Sequence, residues 1–545
     1  MKWDGMDRLT PTRRSVLLGL GGTVAVSALM PVDWASAQQK GGTLRVTIGG
    51  TPPDFDVHQS GTYLTQHICA PCYSTLMRID PSDTTKLVPD LAEGYEVSED
   101  GLTVTYKIKS GVKFHDGGDL VIDDVVFSIN RIRNPPTGIN SPRKNTFSNI
   151  AEVEAADANT LKVTLKQPQA DFPFLVSNPF NAIYPKRIAE PLDAEGVGMK
   201  RQIVGTGAFK LARAVDGQLY ELVRNEDYFG GAPALDGIQF FPIPGEIERS
   251  VAIRGERVDA CFLFSSQAVI SDLKKAEGLV VGDALTPTFV NLISNVLKKP
   301  FDDPRVREAL SLAIDRTAFI NTVGPLSGAN FHSLGLLPPG SPYALTEEEV
   351  KQFSGYDTIP GLGGDIEANR ARARELLKEA GVEPGYQLKL PTRGDLPVFR
   401  DSSINVAAQL NTIGFDASVE IMDVGAFVAR ELAGEFEVLV HSIAVAGALP
   451  DIILGDAYTS FGYRNYGKWK DDSIDALFRA QSGEADPEKR KELIRQQQLA
   501  FLGTYYHINM AWVGFGFAHS DRLKGWTPSN DGFSNMQMDK VWLES

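Results

Sequence analysis

Residues 202–231 read QIVGTGAFKLARAVDGQLYELVRNEDYFGG. The middle of this stretch predicts a β-hairpin: Phe209 and Leu211 lead into Asp216-Gly217, and Tyr220, Leu222 and Arg224 leave it. Asp-Gly between two such runs is a strong hairpin signal, because both central residues of a type I′ turn need positive φ. The corner ahead of it, Gly205-Thr206-Gly207, reads as backbone freedom supplied by residues without a β-carbon. The chain is expected to return here from an inserted domain to the domain in which it began.

Working outward, a chain of 545 residues is too long for one core and implies two to four domains. Hydrophobic residues at 43% and charged residues at 23% fit an ordinary globular composition. The formal charge of −15 argues against nucleic acid or an anionic membrane as the main partner. It leaves the ligand open, because a buried site has its own local sign.

Towards the N-terminus, Thr12-Arg13-Arg14-Ser15-Val16-Leu17 forms a twin-arginine pattern, followed by an apolar run from Val16 to Met30 and the small residues Ala35-Ser36-Ala37. The order of these regions predicts a signal peptide over 1–37, export by the twin-arginine route to the periplasm, and a mature chain starting near Gln38. No Cys follows the apolar run and no later stretch holds eighteen apolar residues, so no lipid or membrane anchor is expected.

Gly41 to Ile48 alternates apolar and polar residues as an opening strand. A second Asp-Gly turn, Asp100-Gly101, precedes Leu102, Val104, Tyr106 and Ile108, which share one face of a half-buried strand. Leu161, Val163 and Leu165 predict another. Asp123-Asp124 opens a helix with acids where the dipole favours them. Val306, Ala309, Leu310, Ala313 and Ile314 follow the spacing of an amphipathic helix. Residues 324–364, rich in Gly and Pro, read as a long ordered loop or lid edge. Beyond it, helices are expected at 369–380 (with Gly381 just past the end), 404–413 and 424–432, and a strand at 417–421. This α/β alternation predicts a separate sheet with helices on both faces.

Several of these stretches carry a resemblance. Gly41-Gly42-Thr43-Leu44-Arg45-Val46, Ser74-Thr75-Leu76-Met77, the long VPDLAEGYEVSEDGLTVTYKIKSGVKFHDG (88–117), GTGAFK with LVRNEDYFGG, GERVDACF (255–262) and the DPRVREAL helix ending in AIDR are similar to the extracellular solute-binding proteins of family 5. That family includes the dipeptide, oligopeptide and nickel binding proteins of ABC importers. The resemblance implies a two-lobed α/β periplasmic-binding-protein fold with a third, smaller inserted domain. It implies lobe I from 38–80, 201–288 and 508–545, an inserted domain at 81–200, and lobe II at 289–507. It also implies a monomer that captures a small-molecule ligand by hinge closure and delivers it to ABC permease subunits, with no cofactor and no catalytic residues.

Ligand class is asked of residues 441–460, HSIAVAGALPDIILGDAYTS. Peptide-binding members carry an Asp-rich sequence here whose acid receives an α-ammonium. Pro450 matches, but Ile443, Ala446 and Leu449 stand at the Trp and acidic positions, and Asp451 is displaced by one. An ammonium without that acid would be an unpaired buried charge. The expected ligands are therefore peptide-like solutes, opines, modified amino acids, saccharide conjugates or metal chelates. Candidate ligand-binding residues are Thr62, Tyr63, Asn295, His441, Ser442, Tyr463, Arg464 and Trp512.

Enzyme signatures are weak. HExxH, GxSxG and GxxxxGK[ST] are missing; two SxxK matches lack a KTG partner; GLGG (361–364) and GFGF (514–517) lack a third Gly. The alternatives are an exported hydrolase acting on peptides or saccharides, and a sensor that docks on a chemoreceptor when loaded. His67 and the pair Cys69 and Cys72, with His58 nearby, leave three readings open: a small disulfide, two buried thiols, or part of a soft-metal site. Cys261 is expected to be free and buried.

Overall fold

The computed structural model describes residues 41–328, 335–394, 396–445, 447, 449–528 and 536–545. The signal-peptide features of residues 1–37 lie outside the described residues, as does Ala446.

The predicted hairpin forms the edge of an eight-stranded sheet. Across it run Val438–Ala444, Leu279–Ser294, His507–Ser520, Ala260–Phe264, Thr43–Ile48, Gly237–Pro242, Leu219–Arg224 and Phe209–Val215. The opening strand, Thr43–Ile48, is parallel to both neighbours. The remaining pairs are antiparallel.

Two details of the decisive stretch differ from the sequence reading. The hairpin turn has three residues, not two. Leu211 pairs with Leu222, but the register then shifts so that Val215 faces Leu219. The extra residue, Ala212, is a bulge, and it moves closure of the ladder one residue on. Gly217 takes φ +68° while Asp216 stays outside the positive-φ region. The Asp216 carboxylate accepts from the Tyr220 hydroxyl at 3.0 Å. The corner glycines serve close approach rather than an unusual backbone: neither Gly205 nor Gly207 has positive φ. A Cβ on Gly205 would sit 2.0 Å from the Cys72 carbonyl oxygen, and one on Gly207 2.4 Å from the Cys72 carbonyl carbon.

A second, four-stranded antiparallel sheet runs in the order Ala92–Val97, Thr103–Ile108, Thr160–Leu165, Ile150–Asp157. Val104, Tyr106, Ile108, Leu161, Val163 and Leu165 are buried from it, as their alternation predicts. They pack with Val125, Ile129 and Ile132 of the helix Ile122–Arg133. Asp124 ties that helix in place, accepting from the Val121 amide at 2.9 Å and the Lys186 amide at 2.7 Å.

The largest core draws on residues 289–513 together with Leu175. The helix Pro304–Ala313 buries Val306, Ala309, Leu310 and Ala313 as its spacing predicts. Two helices start earlier than predicted. Ile366–Glu379 is capped by Asp365, and Pro397–Asn411 opens on a proline, which costs nothing at the first helical position. Gly381 ends the former with φ +76°. The separate sheet expected here is only a parallel pair, Tyr386–Arg393 with Phe415–Met422. The third strand, Val438–Ala444, joins Leu279–Ser294 in the large sheet instead. The 324–364 stretch is not all loop, since it contains the end of the helix Arg316–Ser327 and the short helix Glu347–Lys351. Two long strands pass between cores. Phe289 to Ile293 and Ile508 to Val513 belong to the largest core, whereas Phe517 packs with the opening segment and Ala518 beneath the helix Glu246–Arg254.

All three cysteines are buried free thiols. Cys69 donates to the Phe55 carbonyl at 3.6 Å and Cys72 to the Ile68 carbonyl at 3.8 Å. Burial pushes both thiols well up from their ordinary range. Of the readings left open for the pair, the structure holds buried thiols.

Candidate ligand-binding cavity

A cavity of about 350 Å³ opens where residues 142–180 face residues 444–482, with Gly61 on a third side. Its size suits a small solute. Phe147, Phe180, Ile452, Phe461 and Phe478 give it apolar and aromatic walls. The helix Pro450–Ala457 contributes Asp451 and Asp456, the loop after it Tyr463 and Arg464, and the helix Asp472–Ser482 supplies Arg479. Arg143 and Lys166 come from the opposite wall.

Both carboxylates in the lining are already engaged. Asp456 accepts from Arg464 at 3.0 Å, and Arg464 also donates to the Tyr466 hydroxyl at 3.3 Å. Burial pushes the Asp456 carboxyl up, and Arg464 only partly pulls it back. Asp451 accepts from Gln481 at 2.8 Å, Ser482 at 2.6 Å and Arg490 at 3.2 Å. Arg490 in turn grips Asp171 with two hydrogen bonds, at 3.0 and 2.7 Å. Together with the Ala170 amide donating to the Ser482 carbonyl at 2.8 Å, this joins the two walls. Burial, reinforced by the neighbouring charge of Asp171, raises the Asp451 carboxyl to about 6.

The candidate residues divide into three groups. Tyr463 and Arg464 line the cavity, with Tyr463 exposed and Arg464 paired to Asp456. Thr62 and Tyr63 follow Gly61 but do not themselves line the cavity; the Thr62 hydroxyl caps the helix Tyr63–Cys69. The other four sit in the largest core's surroundings, away from the cavity lining. Asn295 donates to the Gly434 and Phe436 carbonyls at 2.8 and 3.1 Å. His441 lies 2.8 Å from a Glu431 oxygen, among Phe399, Phe427 and Tyr466. Burial lowers its pKa. Ser442 pairs with Val290 across the sheet. Trp512 is fully buried against Phe289, ring centroids 4.9 Å apart. Sequence reading missed Arg143, Lys166 and Arg479, which lie in polar stretches with no distinguishing pattern and meet only through tertiary packing.

No helix of the described residues is long and apolar enough to cross a membrane. The family model described as bacterial extracellular solute-binding proteins, family 5, matches residues 86–465. The glutathione-binding protein GsiB of Salmonella paratyphi A is 28% identical over 501 residues, 90% of this chain and 93% of that protein. GsiB of Escherichia coli is 30% identical over 414 residues, 76% of this chain and 74% of its own. Among solved structures, the ABC transporter-associated periplasmic binding protein DppA of Helicobacter pylori, in complex with the peptide STSA, superposes with a TM-score of 0.80. Its identity is 24%, covering 93% of this chain and 99% of that one. AgaA of A. tumefacien, in complex with agropinic acid, also reaches 0.80, at 23% identity over 92% of this chain and 99% of its own. The fold is therefore the two-lobed α/β architecture of the periplasmic binding proteins, and these named relatives are binding proteins. With the matched model covering most of its length, the chain belongs to the bacterial extracellular solute-binding proteins of family 5.

Proposed function

We propose that this protein is the substrate-binding component of an ABC importer. It captures a small solute by hinge closure and presents the closed form to the membrane permease. Ligand contacts on both walls of the cavity stabilise the closed arrangement, and only that difference in affinity shifts the population. The observation that carries this reading is the cavity itself: about 350 Å³ between two parts of the chain joined by a small set of polar contacts. The relatives' names supply the range of solutes, a glutathione-type or other peptide-like compound or an opine; a conjugate or chelate fits the same role. The reading includes the lobe division given above, a monomer without catalytic function, and delivery to the periplasm by the twin-arginine pattern at Arg13 and Arg14. Thr62, Tyr63, Tyr463 and Arg464 are its nearest ligand contacts. Asn295, His441, Ser442 and Trp512 enter it as supports of the wall behind them.

A thermal-stability screen against a small-metabolite library tests it. A true ligand at a hundredfold excess over its Kd adds about 2.7 kcal/mol of stability and is recovered unchanged. Turnover of that solute would sink the transport reading in favour of an exported hydrolase.

A further inference from the structure

The cavity's charge is opposite to that of the molecule. The whole chain carries −15, yet the lining presents Arg143, Lys166, Arg464 and Arg479 against only Asp451 and Asp456. Arg464 and Asp456 neutralise each other, and Asp451 is turned to Arg490, Gln481 and Ser482. That leaves Arg143, Lys166 and Arg479 without a carboxylate partner among the described residues.

These three cations differ in depth. Lys166 and Arg479 are exposed at the rim, where Lys166 donates to the Ser148 carbonyl and Arg479 lies over the Phe461 ring. Arg143 is half-buried. Its guanidinium donates only to carbonyls: Ser60 at 2.9 Å, Val57 at 2.6 Å and His58 at 2.9 Å. Its buried Nε–H has no partner. Phe180 lies beneath the group, 4.9 Å from ring centroid to guanidinium carbon. A half-buried cation whose hydrogen bonds reach only carbonyls, above an aromatic ring and with the Asp56 charge acting only from a distance, is an incomplete arrangement. Burial lowers its pKa to about 10, and an arriving anion reverses that penalty. A free ammonium meets the opposite situation, because no carboxylate in the lining is unpaired.

We infer, resting on the solute-binding reading above, that the captured solute is a small organic anion whose charged group docks on Arg143, steered inward by Lys166 and Arg479. Its body then lies against Phe147, Phe461 and Phe478. Rim charges chiefly set the association rate and its salt dependence, whereas a buried charge-assisted hydrogen bond sets how long the complex lasts.

Two matched probe series test this by isothermal titration on the mature chain. One is N-acetylphenylalanine, its neutral amide, and phenylalanine amide. The other is glucuronate, glucose and glucosamine. Each series shares one ring, a phenyl or a pyranose, while the charge runs from negative through neutral to positive. The anion is expected to bind at least about tenfold more tightly than its counterparts, with affinity falling as salt rises. Arg143→Gln should weaken the anion by about tenfold or more. Because that change also frees the 57–60 carbonyls, the double variant K166Q/R479Q provides the independent check. It should slow anion association several-fold and flatten the salt dependence while leaving the melting temperature of the unliganded protein unchanged. Anion binding indifferent to all three substitutions overturns the inference. So does a neutral or cationic probe, or a neutral or cationic library solute, that stabilises the protein where anions do not; the solute-binding reading then survives. If no solute of any charge binds, both readings fall.

Discussion

Two arginines in this protein, Arg131 fully buried and Arg490 partly so, each sit between two aspartates, and they behave differently. Arg131, on the helix Ile122–Arg133, makes two hydrogen bonds to Asp56 at 3.1 and 2.7 Å and two to Asp193 at 2.7 and 2.8 Å. Arg490 makes two to Asp171 but only one, at 3.2 Å, to Asp451. Asp56 also accepts from the Gln59 amide, the His58 and Met199 backbone amides and the Tyr184 hydroxyl. Burial alone would raise its carboxyl, but Arg131 and these donors hold it well below the usual carboxylate range. Asp451 has fewer donors and a like charge beside it, so burial prevails and its carboxyl rises to about 6. The charge inventory is the same, and the number of donors decides whether the site is permanently ionised or responds to pH. The first cluster welds the loop at 54–60 to the helices Ile122–Arg133 and Lys186–Ala194. The second joins the two walls of the cavity through a smaller set of donors.

Four measurements break or sharpen that contrast. The largest effect is expected from Arg131→Met, which strands two buried carboxylates; denaturant unfolding should show a loss of about 3–5 kcal/mol. Arg490→Met should cost less, about 2 kcal/mol at pH 7.5, and less again at pH 5, because Asp451 takes up a proton instead of remaining an unpaired anion. Equal losses at both arginines would erase the distinction.

Asp451→Asn tests the pH claim directly. The Asp451 carboxyl is higher in the folded chain than in the unfolded one. Its contribution is therefore fully present below about pH 4 and lost as pH rises through about 6. The substitution should flatten the stability profile over that window and raise stability at pH 7.5 by about 1–2 kcal/mol. An unchanged profile would contradict the assignment. The smallest effect should come from the Lys162 and Glu154 pair, 2.8 Å apart but exposed on both sides. Replacing either with Gln should leave the unfolding midpoint where it was, since exposed pairs gain little.

The same separation between local and distant causes governs how much was legible beforehand. The strand carrying Val104, Tyr106 and Ile108 and the helix carrying Val306, Ala309 and Leu310 were readable because their burial follows a short period along the chain. The hairpin at 209–224 was readable in existence but not in detail, because a bulge at Ala212 is set by pairing across the sheet. The corner glycines were located correctly and explained wrongly: their neighbour, Cys72, lies more than a hundred positions away in sequence. Of the candidate residues, Tyr463 and Arg464 reach the cavity, while aromatic and polar residues such as Trp512 and His441 went into the core, where aromatics are equally at home.

By itself, then, the sequence determined the α/β elements, the family and the lack of a matching acid for an ammonium at 441–451, since each is written in contiguous residues. Only the tertiary structure decided the sign of the cavity. Arg143 and Lys166 meet Arg479 across more than three hundred residues of chain, and whether Asp451 and Asp456 cancel them depends on which cation each carboxylate faces. Electrostatic energy depends on distance and burial in space, and neither is a property of position along the chain.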